Sequence, residues 1–230
     1  MTDILHIDGR MGEGGGQVLR SALSLSVALG RPVHVTNIRG RRKKPGLLRQ
    51  HLTALRASAA ISGGEYDGGE LGSSEITLHP GPVRGGDFSF GIGSAGSTML
   101  VLQTFLPPLR LADRESTIRL EGGTHNPMAP PFDFLALSYA PLLAKMGGDV
   151  DLELVRPGFF PSGGGEVRAR ITPVGTPVPF VLDERGDEGR HHCEIGLAHL
   201  PIDIADREWE TLRKKMHWHR DRRVDRDMST

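Results

Sequence analysis

The chain has 230 residues, with 28 Lys and Arg against 28 Asp and Glu, a hydrophobic share of 37% and one Cys, Cys193. This composition is typical of a globular protein of one or two domains, and no stretch approaches the roughly 20 apolar residues of a membrane-spanning helix. The single Cys excludes an internal disulfide framework, and residues 1–6 lack the layout of a signal peptide, so we expect a cytoplasmic protein with no membrane partner.

The first predicted elements are a strand, a glycine loop and a helix. Residues 4–8 alternate in the manner of a strand, and residues 9–16 are rich in glycine. Residues 17–29 then place apolar side chains on one helical face, which Gly30 ends. A helix that follows directly on a glycine loop is a recurrent arrangement for binding anions.

A second strand and a second helix follow along the chain. Residues 32–38 alternate again, residues 39–45 form a basic loop, and residues 46–61 are predicted to be helical. Gly63 and Gly64 end that helix. Two short strands are predicted to complete the unit, near residues 75–78 and 87–90.

The same pattern then starts again. Gly93–Gly96 lies 81 positions after Gly12–Gly15, and Gly147 lies 84 positions after Gly63. We therefore predict an α+β fold built from two tandem βαβαββ repeats within residues 1–180.

The character of the chain changes after Pro173. Strands are predicted over 178–182 and 192–197, and a helix begins near 203, so residues 181–212 are interpreted as the start of a small inserted α/β domain. Residues 213–230 carry many charges and few apolar side chains. We predict a disordered tail there.

The zero net charge conceals a strong segregation of charge. Residues 14–64 contain no Asp or Glu but nine Lys and Arg, including Arg20, Arg39 and Arg42. A charge run is commonly a solvated face, but the absence of interspersed acids over such a length favours a polyanionic partner.

The glycine loop is the strongest candidate site. Backbone amides at a helix N-terminus favour an anion such as phosphate. Glu13 within the loop would repel a bare phosphate, so a functional interpretation needs a divalent cation or a hydrogen bond to a sugar or base. A solvated turn remains the alternative, and Gln50, His51 and Gln103 taken alone are equally consistent with surface polar residues.

Two other motifs are disfavoured. Gly91–Gly96 formally matches a dinucleotide-binding fingerprint with Asp113 at a suitable distance, but the preceding strand alternates and does not form a continuous apolar run. His191 and Cys193 would share one face of a strand as metal ligands, yet no further ligand is evident.

Several motifs in one order resemble the RNA 3'-terminal phosphate cyclase family. They are Asp8–Gln17, Leu19–Leu25, Ile38–Leu52, Gly93–Ser97, Gly122–Thr124, Ala129–Pro131 and Gly158–Val167. The resemblance extends from about Ile4 to Leu212. Pro157 departs from the pattern, because the family has a basic residue before that glycine.

The resemblance implies a repeat fold shared with enolpyruvyl transferases, and a reaction in which ATP and a divalent metal (Mg or Mn) support cyclisation of an RNA 3'-phosphate. A histidine becomes adenylated, AMP passes to the RNA end, and the 2'-hydroxyl closes the cyclic phosphate. By motif, Glu13, Arg20, Gln50 and Gln103 belong to the nucleotide and metal pocket. Arg39, Arg42 and His51 would contact phosphates. RNA and not DNA is the expected partner.

The resemblance also implies a shortened member of the family. None of the ten histidines lies in a motif that matches the nucleophile, and the segment after Leu212 is hypothesised to be translated in a shifted frame. A non-catalytic, ribosome-assembly type of RNA-binding relative and, more remotely, an enolpyruvyl transferase remain as alternatives.

Overall fold

A computed structural model describes residues 3–184, 192–218 and 222–229, and the chain divides into two compact units, Met1–Pro179 and Phe180–Thr230. The first repeat of the first unit comprises β1 (Leu5–Asp8), α1 (Gly16–Leu29), β2 (Val33–Thr36), α2 (Arg49–Ser62), β3 (Glu65–Asp67) and β4 (Ile76–His79). The second repeat comprises β5 (Asp87–Gly91), α3 (Thr98–Leu109), β6 (Ser116–Gly122), α4 (Phe132–Phe134), α5 (Ala140–Ala144), β7 (Val150–Arg156) and β8 (Gly165–Ile171).

Each repeat builds one four-stranded sheet with the same topology. The strand orders are β1-β2-β4-β3 and β5-β6-β8-β7. In both sheets the first pair is parallel, and the other two pairs are antiparallel. The predicted α+β fold of tandem βαβαββ repeats is therefore confirmed.

Glycines end the two helices of the first repeat, as predicted. Gly30 follows α1 and Gly63 follows α2, both in the left-handed conformation with φ of 62° and 58°. Glycine adopts this conformation without a Cβ penalty, so the last helical carbonyls can be bonded there. In the second repeat a π-helical turn, Leu135–Tyr139, joins α4 to α5 just before Pro141, which has no N–H to donate.

Three short segments differ from the sequence predictions. β3 was not predicted, because Glu65–Asp67 offers only one apolar side chain, that of Tyr66. The strand near 87–90 was assigned to the first unit, but β5 pairs with β6 and opens the second repeat. Residues 178–182, predicted as a strand, are irregular.

Helices from both repeats form one core. α1, α2 and α3 pack against one another, and their fully buried side chains include Leu23, Leu55 and Phe105. The sheets bury one face only: β6 alternates between buried and exposed positions along its length. None of the helices in the described ranges is long and apolar enough to cross a bilayer.

The second unit contains β9 (His192–Leu197), α6 (Ile202–Met216) and β10 (Arg222–Asp227), and β9 pairs with β10 in parallel. The prediction of a disordered tail after Leu212 is wrong for the described residues 213–218 and 222–229. α6 continues to Met216, and the charges of β10 are matched by ion pairs, of Arg223 with Asp206 at 2.7 Å and of Arg226 with Glu194 at 2.9 Å. Backbone pairing and ion pairs thus stabilise this segment, together with the burial of Met228 and the packing of Trp218 against the core of the second unit.

Candidate functional site

A cavity of about 1100 Å³ lies within the first unit, where the glycine loop, the basic loop and three loops of the second repeat meet. From the first repeat it is lined by Met11, Gly12, Glu13, Gly15, Gly16, Gln17, Val18, Arg20, Ser21, Arg39, Arg42, Leu48, Gln50 and His51. From the second repeat it is lined by Ala95, Ser97, Leu100, Asn126, Pro127, Met128, Ala129 and Phe160.

The N-terminus of α1 opens into this cavity with its amides uncapped. Its N-cap is Gly15, which has no side chain to accept a hydrogen bond, and the first turn carries no acidic residue. The first N–H groups of a helix have no partner within the helix, and the helix dipole adds positive potential there. An anionic ligand is therefore favoured at this end of α1.

At the N-terminus of the corresponding helix of the second repeat, α3, backbone N–H groups already have protein partners. The hydroxyl of Ser97 accepts from the N–H of Leu100 at 3.2 Å, and Gln50 Oε1 accepts from the N–H of Ser97 at 3.0 Å. The N–H of Thr98 donates to the carbonyl of Gly123. Because protein groups already use these donors, and because β5 is an edge strand, the dinucleotide fingerprint at Gly91–Gly96 has no open phosphate site.

Arg20 places a buried cation in the cavity wall. Its side chain lies on α1 with the residue only 7% exposed, and burial lowers the pKa of its guanidinium to about 10. Nη2 donates to Gln17 Oε1 at 2.8 Å, but Nε has no partner among the described residues, and none of them supplies an ion-pairing carboxylate. A buried charge without a counter-ion is unfavourable unless a ligand brings one.

His51 supplies a neutral donor beside that cation. The residue is 2% exposed, and burial, followed by the nearby Arg20 and Arg39, lowers its pKa to about 3. The N–H of Leu48 donates to Nδ1 at 3.3 Å, so the proton of the neutral ring is on Nε2. His51 therefore has an N–H to donate to an anion at neutral pH without carrying a charge.

Arg39 fixes the basic loop that forms the other wall. Its Nη1 donates to the carbonyls of Lys44 at 2.5 Å and of Gly46 at 3.0 Å. Its backbone is left-handed, with φ of 54°, and desolvation together with Arg42 lowers its pKa. A non-glycine residue held in this conformation indicates that the loop has one required shape.

Two contacts hold the basic loop over the glycine loop. Arg41 Nη1 donates to the carbonyl of Gly12 at 2.9 Å, and Arg42 Nη2 pairs with Glu13 Oε2 at 2.9 Å. The guanidinium of Arg42 lies so close to Gly15 that a Cβ there would come within 2.6 Å of Nη2. Arg42 thus lies directly over the open end of α1.

Glu13 fits a divalent cation only as one ligand among several. Its side chain is 88% exposed at the cavity, and no group of three His, Cys, Asp or Glu in the described residues could hold a metal. Mg²⁺ is commonly held by one or two carboxylates together with substrate phosphates and water. Glu13 suits that arrangement once it releases Arg42. The alternative site at His191 and Cys193 involves residue 191, which lies outside the described residues.

Six of the seven residues singled out from the sequence line this one cavity: Glu13, Arg20, Arg39, Arg42, Gln50 and His51. Gln103 does not line it, because it lies on an exposed face of α3, about one turn beyond Leu100. Sequence reasoning missed the contribution of Asn126 to Ala129 and of Phe160. Ala129 and Phe160 lie in motifs that resemble the family and residues 126–128 lie between two of them, but nothing local indicated that these loops face the glycine loop.

Gly16→Ala is expected to damage both the fold and the site. A Cβ at Gly16 would overlap His51 Nε2 and lie 3.0 Å from Arg20 Nη1, so the buried imidazole must move. We expect a loss of about 1–3 kcal/mol in the free energy of unfolding, measured by urea titration. Gly91→Ala is the control, since its Cβ meets nothing within 4 Å. Equal stability of the two variants would contradict the close packing of Gly16 against His51 and Arg20.

Comparison with known proteins points to one family. A family model described as RNA 3'-terminal phosphate cyclase matches residues 11–226. A protein named RNA 3'-terminal phosphate cyclase from Koribacter versatilis (strain Ellin345) is 52% identical over 209 residues, which cover 91% of this chain and 59% of the relative. One of the same name from Ectopseudomonas mendocina (strain ymp) is 46% identical over 216 residues, covering 94% and 62%.

Two facts about extent follow from these matches. The chain spans about three fifths of the length of the two relatives. The family match continues to residue 226, so the expectation that the resemblance stops near Leu212, with a shifted frame beyond it, is wrong.

Proposed function

Because the chain belongs to the RNA 3'-terminal phosphate cyclase family, we propose that it serves the ATP-dependent conversion of an RNA 3'-terminal phosphate to a 2',3'-cyclic phosphate, a ligase-class reaction with enzyme-adenylate and RNA-adenylate intermediates. The two relatives are longer, so the reaction is proposed for the whole protein. The parts assigned to the described residues are binding and orientation. A cytoplasmic location belongs to the same proposal.

The observation that carries the proposal is the buried, carboxylate-free guanidinium of Arg20 beside the uncapped end of α1. Together with the Nε2–H of His51, these donors could converge on the oxygens of a phosphate group, and the unpaired positive charge favours an anionic ligand. Arg39 and Arg42 extend the positive wall, which suits two phosphate-bearing ligands in one cavity, ATP and the RNA end.

A divalent cation, when bound, would neutralise charge on phosphate oxygens and orient them. Glu13 is the described residue that would hold it, together with those oxygens. Gln50 acts differently: its Oε1 is engaged by the N–H of Ser97, so it joins α2 to the start of α3 and holds the two walls of the cavity in register.

The test is ligand-induced stabilisation of the protein in the presence of Mg²⁺. We expect ATP and an RNA oligonucleotide ending in a 3'-phosphate to raise the melting temperature, because each binds only the folded state. The same oligonucleotide with a 3'-hydroxyl is expected to give a smaller shift. Stabilisation by RNA but not by ATP would favour the non-catalytic RNA-binding alternative, and stabilisation by phosphoenolpyruvate but not by ATP would favour an enolpyruvyl transferase.

Glu13→Gln is expected to change the metal dependence of RNA binding. Without a divalent cation the variant should bind 3'-phosphorylated RNA about two- to fivefold more tightly, because an exposed ion pair worth at most about 1 kcal/mol no longer holds Arg42. With Mg²⁺ the original protein should gain affinity and the variant should gain less. Fluorescence anisotropy with and without EDTA measures both effects.

The matched control for that experiment is Glu65→Gln, an exposed acid on β3 that does not line the cavity. It should leave both affinities unchanged. If Glu13→Gln weakens binding without metal, or if its response to Mg²⁺ equals that of the original protein, Glu13 does not restrain Arg42 or does not bind the cation.

A further inference from the structure

Outside the cavity, the basic loop and α2 expose Lys43, Lys44, Arg49 and Arg56, in addition to Arg41, whose guanidinium already donates to the carbonyl of Gly12. Within the described part of the chain, none of these four has a carboxylate partner within ion-pairing distance, whereas several other exposed arginines do. An exposed helix face usually mixes charges of both signs. The four cations therefore form a positive surface that begins beside the cavity, next to Arg42 and Gln50, and that the proposed chemistry at Arg20 does not use.

Arg49 and Arg56 lie on the same face of α2. They are seven residues apart, which is two helical turns or about 10 Å along the axis. Arg49 is the first residue of the helix and directly precedes Gln50 and His51, which line the cavity. Its guanidinium extends toward the second repeat, with Nη1 3.3 Å from the position that a Cβ at Gly93 would take.

The spacing suits an extended polyanion. Arg49 and Arg56 are about 10 Å apart along the axis of α2, farther than one phosphate group can bridge, so a ligand that contacts both must carry more than one phosphate. A small ligand in the cavity would not reach Arg56. A strand whose end is in the cavity would pass Arg49 first and Arg56 afterwards.

We propose that the α2 track, defined as Lys43, Lys44, Arg49 and Arg56, binds the backbone of single-stranded RNA on the 5' side of the terminal phosphate held in the cavity. The proposal rests on the proposed function, because the cavity fixes the end of the strand. The track contacts phosphates only and therefore adds affinity without sequence preference.

The experiment compares a 3'-phosphorylated mononucleotide with a 3'-phosphorylated hexanucleotide, each titrated against the full chain. Arg49→Ala with Arg56→Ala should weaken binding of the hexanucleotide about three- to tenfold at low salt. The slope of log affinity against log salt should flatten by about 1.4, or about 0.7 for each lost phosphate contact. Affinity for the mononucleotide should not change.

Arg31→Ala is the matched control. Arg31 is exposed and lies in the same acid-free window, but it follows Gly30 at the far end of α1, about 20 Å from the N-terminus of that helix. If Arg31→Ala lowers the affinity for the hexanucleotide as much as the double variant does, the attraction is diffuse and the proposed track is wrong. An unchanged hexanucleotide affinity in the double variant would overturn it as well.

The controls also separate the two proposals. If the original protein binds neither ligand, the proposed function fails. If it binds both ligands and the double substitution lowers the affinity for both to the same extent, Arg49 and Arg56 act on the cavity, and the proposed track is wrong. Equal binding of double-stranded DNA of the same length would show a site for any polyanion and would overturn the assignment to single-stranded RNA.

Discussion

Replacing Arg20 with Met is expected to weaken the binding of ATP and of 3'-phosphorylated RNA by about 30-fold or more, while leaving the unliganded fold at least as stable as before. Removing one partner of a buried, hydrogen-bonded charge pair reduces binding by about 2–5 kcal/mol. Without ligand the same guanidinium lacks a counter-ion among the described residues, and burial lowers its pKa to about 10. An apolar side chain of similar length removes that penalty.

Two measurements test whether Arg20→Met weakens ligand binding without lowering the stability of the unliganded protein. Urea titration gives the free energy of unfolding without ligand, and isothermal titration gives the affinities. Arg20→Lys keeps the charge but loses the forked donor geometry, so its affinities should fall between those of the original protein and the Met variant. Arg31→Met is the exposed control and should change neither quantity. A destabilised Arg20→Met variant that retains its affinity would show that Arg20 is structural and does not bind the ligand.

Acidification is expected to destabilise the protein strongly through His51. Its pKa is about 3 in the folded protein and about 6.5 when exposed, so between these values the unfolded chain binds the additional proton. The contribution of His51 to stability is therefore complete above about pH 6.5 and declines as the pH falls toward 3. Between pH 7 and pH 4 we expect a loss of roughly 3 kcal/mol from this residue.

The contribution of His51 is isolated by comparing two variants across that pH range. His51→Gln should be less stable at pH 7, because Leu48 loses its hydrogen-bond partner, yet its stability should fall less steeply between pH 7 and pH 4. His79→Gln replaces an exposed histidine at the end of β4 and should retain the original pH profile. Parallel profiles for the original protein and His51→Gln would refute the buried, neutral state of His51.

Much of the fold was predictable because its signals are local. Gly30 and Gly63 end their helices through a conformation that depends on the residue itself, and the glycine loops mark the start of each repeat. Short strands carried too little signal: β3 has three residues, and β10 is stabilised by pairing with β9 and by ion pairs, not by its own apolar content.

The sequence by itself determined the repeat pattern, the acid-free window and the glycine loop as an anion site, because each depends on residues close together in the chain. Ser97 at the N-cap of α3 is a local difference from Gly15 at the N-cap of α1, but only the tertiary structure showed that Gln50, 47 positions away, also occupies the N–H of Ser97. The same holds for Arg20, whose burial without a carboxylate partner results from the packing of α1 and α2. Solvation and pairing of a charge are set by neighbours distant in sequence, so no local pattern reveals them.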